Sequence, residues 1–144
     1  MLKLIVVGKI KNRSISALCA DYEGRLRHFG GIDIVEIKDS DPQREGGKII
    51  EALKGFRGKF YAMSEEGRQF DSRGLSERLE RDLLSGGSAF AVGGPYGLSD
   101  EVKHRADEII SMSKMTFTHE FARAILLEQI YRAKTISANI GYHH

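Results

Sequence analysis

Glycine, hydroxyl, thioether and imidazole groups that could serve a ligand gather in the last third of this sequence. The first group is Gly93-Gly94-Pro95-Tyr96-Gly97-Leu98-Ser99, whose glycines permit tight backbone geometry and close approach of a bound molecule. It lacks the Gly-Lys-Ser/Thr ending of a phosphate loop and the G-x-G-x-x-G spacing of dinucleotide sites, so alone it reads equally as a plain strand-to-helix turn. The second group is Ser111-Met112-Ser113-Lys114-Met115-Thr116-Phe117-Thr118-His119. Nothing in it resembles a phosphate cradle. It could pack around an adenine and offer backbone donors and acceptors, although its spacing alone favours an ordinary connection. Farther on, Glu128 and Arg132 stand four apart and could pair on a helix. Arg123 and Arg132 could instead hold phosphates, because a planar guanidinium suits bidentate contact. The tail Asn139-Ile140-Gly141-Tyr142-His143-His144 has the make-up of a frayed end. Tyrosine and histidine are also the residues that stack on an unpaired base and hydrogen-bond its edge. No C-x-x-C, H-E-x-x-H or comparable spacing is present, so no metal site is expected.

Such groups need a scaffold, and the pattern of the chain supplies one. Residues 2–7 form a short apolar run rich in β-branched side chains, as in a buried strand. With Ser14 as N-cap, Ile15, Leu18, Cys19, Tyr22, Leu26 and Phe29 share one helical face, which Gly30-Gly31 ends. Residues 32–37 predict a second strand, 39–47 a polar loop, 49–56 a short helix, 59–63 a third strand and 64–70 a turn-rich connection. Leu75, Leu79 and Leu83 line a helix that Ser72 could cap. Residues 89–92 predict a fourth strand. Ser99 caps the next helix, with Asp100 and Glu101 favourably placed in its first turn. Residues 108–112 predict a fifth strand, and 119–137 the longest helix. Strands alternating with helices give an α/β class: a mostly parallel sheet with helices on both faces. In such a sheet ligands bind beyond the carboxyl ends of the strands, where both loops fall. No repeat or linker divides residues 1–144, so one domain is expected.

Composition agrees with a folded chain: 41% hydrophobic, 29% charged and a formal net charge of +2, with 144 residues to build a core. The small basic excess is scattered in groups such as Lys9-Lys11-Arg13, Arg25-Arg27-His28, Arg57-Lys59 and Arg68-Arg73, mostly solvated faces. The one cysteine, Cys19, lies in an apolar helical stripe, where it fits as a small core residue. The opening apolar run is too short for a signal peptide or a membrane span, and a cytoplasmic location is the expectation.

Taken jointly, the later motifs resemble one family. Gly93-Gly94-Pro95-Tyr96-Gly97-Leu98, then 113–119, then Leu127-Glu128-Gln129-Ile130-Tyr131-Arg132-Ala133, then Tyr142-His143 are similar in order and spacing to the ribosomal RNA pseudouridine N3-methyltransferases of the SPOUT superfamily. The resemblance extends over nearly the whole chain. It implies an α/β fold with a trefoil knot in the carboxyl-terminal part, an exception to the unknotted rule. It implies S-adenosylmethionine as methyl donor, with no metal. The donor would be contacted by Met63, Gly93, Gly94, Met112, Ser113, Lys114, Met115, Thr116 and Phe117. It further implies a homodimer whose RNA site is built partly by the second subunit. The substrate would be a pseudouridine in a helical hairpin of large-subunit ribosomal RNA, within the assembled ribosome. His119, Arg132, Tyr142 and His143 would form the catalytic set, with Arg123 as a further RNA contact. The remaining readings are a SPOUT enzyme acting on transfer RNA and a non-catalytic nucleotide-binding α/β module.

Overall fold

The computed structural model describes residues Met1–His144. Five strands form one sheet in the order β2-β1-β4-β3-β5, and every pairing is parallel. They are β1 (Leu2–Val7), β2 (Asp33–Ile37), β3 (Lys59–Arg68), β4 (Ser88–Val92) and β5 (Glu108–Ile110). The helices are α1 (Arg13–Leu26, continued by a 3-10 turn over Arg27–Phe29), α2 (Pro42–Ala52), α3 (Ser72–Leu83), α4 (Asp100–Arg105) and α5 (His119–Ser137).

The nearly continuous apolar character of β1, broken only at Lys3, follows from its place between β2 and β4 with both faces covered. Alternate side chains along a strand point to opposite faces. Leu4 and Val6 therefore join Leu26, Leu79, Phe90, Leu127 and Ile130 under α1, α3 and α5. Ile5 and Val7 join Ile49, Leu53, Phe60, Leu98 and Val102 under α2 and α4. Cys19 is buried in the first layer, as its stripe predicted.

Three boundaries differ from the sequence expectations, each for a local reason. Asn12, not Ser14, caps α1: its side-chain oxygen accepts from the backbone N–H groups of Ser14 and Ile15, at 2.9 and 3.1 Å. Leu18 is exposed rather than packed. Two thirds of the expected loop 39–47 is helix, because Asp41 caps α2 and Pro42 starts it, where the missing proline N–H costs nothing. Gly46 sits in that helix because a Cβ there would collide with Ser99 Oγ where α2 crosses the start of α4. Likewise Asp71 rather than Ser72 caps α3, and Leu83 is half-exposed.

The departure that matters most for function is in β3. Residues 64–70 were expected as a connection, yet the strand continues to Arg68. Met63 and Arg68 both register with Ile110, so 64–67 is looped out of the ladder as an extended bulge. Gly67 makes this possible: a Cβ on it would lie 2.6 Å from the Ile110 carbonyl carbon. The bulge carries Ser64 and Glu65 up beside the loop that follows β5. That strand also ends earlier than expected, at Ile110, which releases Ser111 and Met112 into the loop.

Candidate functional site: a cleft at the carboxyl ends of the strands

Beyond the carboxyl ends of β3, β4 and β5 lies an open cleft of about 730 Å³. Its volume falls within the roughly 300–1,000 Å³ usual for small-molecule sites. Five pieces enclose it: the start of α1, the Gly93–Gly97 turn, the bulge of β3, the 111–118 loop and the first turn of α5.

The glycine turn is folded tightly on itself. Gly97 N–H donates to the Gly94 carbonyl at 2.9 Å, and Gly97 has φ +78°. A Cβ on Gly93 would lie 2.7 Å from the Gly97 carbonyl carbon. The turn then delivers Leu98 into the core and Ser99 to the cap of α4, whose Val102 N–H donates to Ser99 Oγ.

The 111–118 loop is shaped by its own hydroxyls. Ser111 Oγ donates to the Ser113 carbonyl at 2.8 Å, and Met115 N–H donates to Ser113 Oγ at 2.9 Å. Thr116 Oγ1 donates to Glu65 Oε1 at 2.8 Å, tying the loop to the β3 bulge across the cleft mouth. Thr118 caps α5 by accepting from Phe121 N–H. His119 therefore opens the helix at the cleft edge, with Nε2 3.4 Å from where a Gly8 Cβ would stand.

The lining includes Met63, Gly93, Gly94, Met112, Ser113, Met115, Thr116, Phe117 and His119, all singled out in the sequence; Lys114 is not part of it. Sequence reasoning passed over Asn12, Ile15, Ser64, Glu65, Glu120 and Phe121, which also line it. Glu120 accepts from Asn12 N–H at 3.1 Å, so the starts of α1 and α5 are joined there; that backbone hydrogen bond holds the Glu120 carboxyl below its ordinary value. No group of three or more His, Cys, Asp or Glu side chains converges as a metal site would require.

Arg132, Tyr142 and His143 form a second cluster, outside the cleft lining of the protomer. Asn139, at φ +56°, turns the chain back after α5 in the manner of a left-handed helix cap, and Ile140 N–H donates to the Thr135 carbonyl. The tail is thus packed rather than frayed. Tyr142 OH donates to Glu128 Oε2 at 2.6 Å and lies 3.1 Å from Tyr22 OH. Arg132 meets the same carboxylate at 2.8 Å, crosses the Tyr142 ring at 4.9 Å and contacts His143 Nδ1 at 3.0 Å. Tyr131 packs edge-on against Tyr142. Burial and the Glu128 carboxylate push the Tyr142 phenol well above its ordinary value, so it stays protonated and donates a hydrogen bond.

Arg123 faces neither group. It is buried and paired with Glu36 at 2.7 Å, joining α5 to β2 instead of standing free for a phosphate.

Burial pulls the Glu128 carboxyl up, but the hydrogen bonds from Arg132 and Tyr142 and the guanidinium charge outweigh it, leaving a net downward shift. A lowered folded value means stability that is present above the ordinary carboxylate range and lost as pH falls through the folded value. Glu128→Gln should therefore cost about 1–2 kcal/mol at pH 7, and the deficit should shrink in acid. Urea titrations at pH 7 and pH 3.5 check this; a deficit equal at both would refute it.

The family described as "Predicted SPOUT methyltransferase" matches residues 1–143. Ribosomal RNA large subunit methyltransferase H of Trichlorobacter lovleyi is 38% identical, with 99% of each chain covered. The protein of the same name from Christiangramia forsetii is 37% identical over 99% of this chain and 98% of its own. Among solved structures, a probable methyltransferase from Bordetella pertussis Tohama I has a TM-score of 0.58 at 12% identity, covering 92% of this chain and 93% of that one. The SpoU methyltransferase AviRb from Streptomyces viridochromogenes, solved with AdoMet, has a TM-score of 0.54 at 12% identity, covering 93% of this chain and 58% of that one. The fold is that of an α/β methyltransferase, and the chain belongs to the SPOUT methyltransferase family.

Proposed function

We propose that this chain is a single-domain enzyme that transfers a methyl group from S-adenosylmethionine to N3 of a pseudouridine in large-subunit ribosomal RNA, acting in the cytoplasm on the assembled ribosome. The observation that carries this reading is the cleft: glycine backbone and thioethers at the carboxyl ends of the strands, in a chain whose full-length relatives bear that ribosomal name. The same relatives favour ribosomal over transfer RNA, and membership of a methyltransferase family counts against a non-catalytic module. We extend the reading to a trefoil knot in the carboxyl-terminal part and to a homodimer. No helix is long and apolar enough to cross a membrane.

The residues present fit the methyl donor. Met63, Met112, Met115, Ile15 and Phe117 give apolar, polarisable walls for an adenine and a sulfur-bearing chain. Backbone groups of the 111–118 loop and of Gly93-Gly94, which line the cleft, would meet the polar edge of a base. When bound, S-adenosylmethionine supplies a methyl already activated by its sulfonium, which N3 of the target base displaces as the carbon–sulfur bond breaks. The chain contributes position: holding the reacting atoms in line is worth roughly 7–11 kcal/mol. The N3 proton must also leave, and His119, at the cleft edge, is the acceptor we assign. Tyr142, held protonated, donates a hydrogen bond instead.

Charge supports the dimer. The cleft lining contains no Lys or Arg, so it offers no guanidinium or ammonium to RNA phosphates. The Arg132-Tyr142-His143 group of a second copy would supply that side. RNA binding should then weaken with salt far more steeply than donor binding.

His119→Ala should lower turnover about 10²–10⁴-fold. Turnover that matches the unaltered protein across the pH range would remove His119 from the role. The whole reading is tested by incubating the protein with methyl-labelled S-adenosylmethionine and ribosomes that lack the modification, then mapping the label. Label in large-subunit RNA, at N3 of a pseudouridine, is expected; label in transfer RNA alone, or none, would overturn it.

A further inference from the structure

The charges of the cleft are one-sided. Its only charged or titratable side chains are Glu65, Glu120 and His119. Glu120 is committed to the Asn12 backbone. Glu65 is different. It stands exposed on the looped-out part of β3, and Thr116 Oγ1 holds one of its oxygens. It makes no ion pair, whereas its neighbour Glu66 pairs with Lys103, and Arg68 and Arg78 pair with Glu108. A carboxylate that makes no ion pair, fixed at the mouth of a cleft whose lining holds no Lys or Arg, suits a cationic ligand.

Building on the methyl-transfer reading, we propose that Glu65 is a specificity-determining residue that favours the charged methyl donor over the spent product. The two molecules differ by one methyl and one charge. Transfer of the methyl leaves the carbon–sulfur bonding pair on sulfur, so the sulfonium becomes a neutral thioether. The ammonium and carboxylate of the amino-acid end are common to both. A carboxylate acting on the sulfonium therefore strengthens donor binding only, and the completed reaction weakens its own hold on the product. Thr116 is the positioning partner, since its hydroxyl fixes Glu65 against the loop that wraps the ligand. Because Glu65 is exposed, screening limits the effect to about three- to tenfold.

The test is calorimetric titration of the full-length protein with S-adenosylmethionine and, separately, with S-adenosylhomocysteine, comparing the unaltered chain with Glu65→Gln and Glu65→Asp. Thermal melting checks that each variant is folded. Glu65→Gln should lose three- to tenfold in affinity for the donor while its affinity for the product moves less than twofold. Glu65→Asp should recover most of the loss. The KM for the donor should rise by the same factor, without a matching change in product inhibition. In the unaltered chain, raising salt should erode donor affinity more than product affinity. Equal losses for both ligands would place Glu65 at the shared ammonium and overturn the proposal, as would no loss for either. If the unaltered chain binds neither molecule, it is the methyltransferase reading that has failed.

Discussion

Gly93→Ala should lower methyl transfer about 100-fold, the scale expected when reacting groups are displaced by about 1 Å, while the sheet stays folded. The added Cβ would sit 2.7 Å from the Gly97 carbonyl carbon and 3.0 Å from Gly97 O and Leu98 N. All three are backbone atoms that no side-chain rotation can move aside. The turn has to open, which stretches the Gly97 N–H to Gly94 carbonyl bond and shifts the wall facing Met112 and Met115. Overpacking of this kind costs about 1–3 kcal/mol, which a domain of this size can bear. The loss should therefore appear in donor affinity and turnover much more than in melting temperature. Gly97→Ala is the contrast: its Cβ meets nothing within 4 Å, and only the positive φ is strained. That variant should lose about 1–2 kcal/mol and keep most donor affinity. Donor titrations and melting curves on the two variants separate a clash in the cleft from general strain. Unchanged donor affinity in Gly93→Ala would show that the turn is not part of the donor site.

What the sequence disclosed follows a physical pattern. β1 and α5 were legible because their signals are local: a nearly continuous apolar run in one, and in the other a long stretch with a broad apolar face. The start of α2 was missed because the polarity of 39–47 and its Pro42 weigh toward a loop. The Asp41-Pro42 pair, a cap followed by proline at the first helical position, was the readable signal against that weighing. The bulge of β3 could not be read at all. It arises when residues 63 and 68 meet the same partner on β5, a pairing distant in sequence. Glu65 and Ser64 therefore reach the cleft without leaving a local trace. The two cleft loops were ambiguous one at a time and became specific through their joint order. Lys114 falls outside the lining because loop shape, set by Ser111, Ser113 and Thr116, decides which side chains turn inward. The tail carried no sign of being packed, since its anchor, Glu128, lies more than ten residues upstream.

At the opposite end of the sheet, Asp82→Ala should be the most destabilising of these substitutions without touching the chemistry. Asp82 closes α3 with 0% exposure. One of its oxygens accepts from Tyr61 OH at 2.5 Å and from Ser88 Oγ at 2.8 Å, and both donors are buried on neighbouring strands. The carboxylate thus pins the end of a helix to β3 and β4 at once. Removing it leaves two buried hydroxyls without an acceptor, each costing about 1–3 kcal/mol. A total near 3–5 kcal/mol matches other losses of one member of a buried charged group and would lower the melting temperature by roughly 10 °C or more. Burial and the Asp82 carboxylate also push the Tyr61 phenol far above its ordinary value. A raised folded value gives stability that is whole below the ordinary phenol range near pH 10 and is lost as pH rises toward the folded value. The unaltered protein should consequently weaken in alkali, and Tyr61→Phe should flatten that decline. The pair must also be non-additive. With the phenol gone, Asp82→Ala orphans one donor instead of two, so the double variant should be more stable than the sum of the single losses predicts, by about 1–2 kcal/mol. Strict additivity in urea unfolding would mean that the two groups do not share their energy. Donor affinity measured well below the melting range should be unchanged in Asp82→Ala, because the cleft lies at the other ends of the strands that this carboxylate holds together.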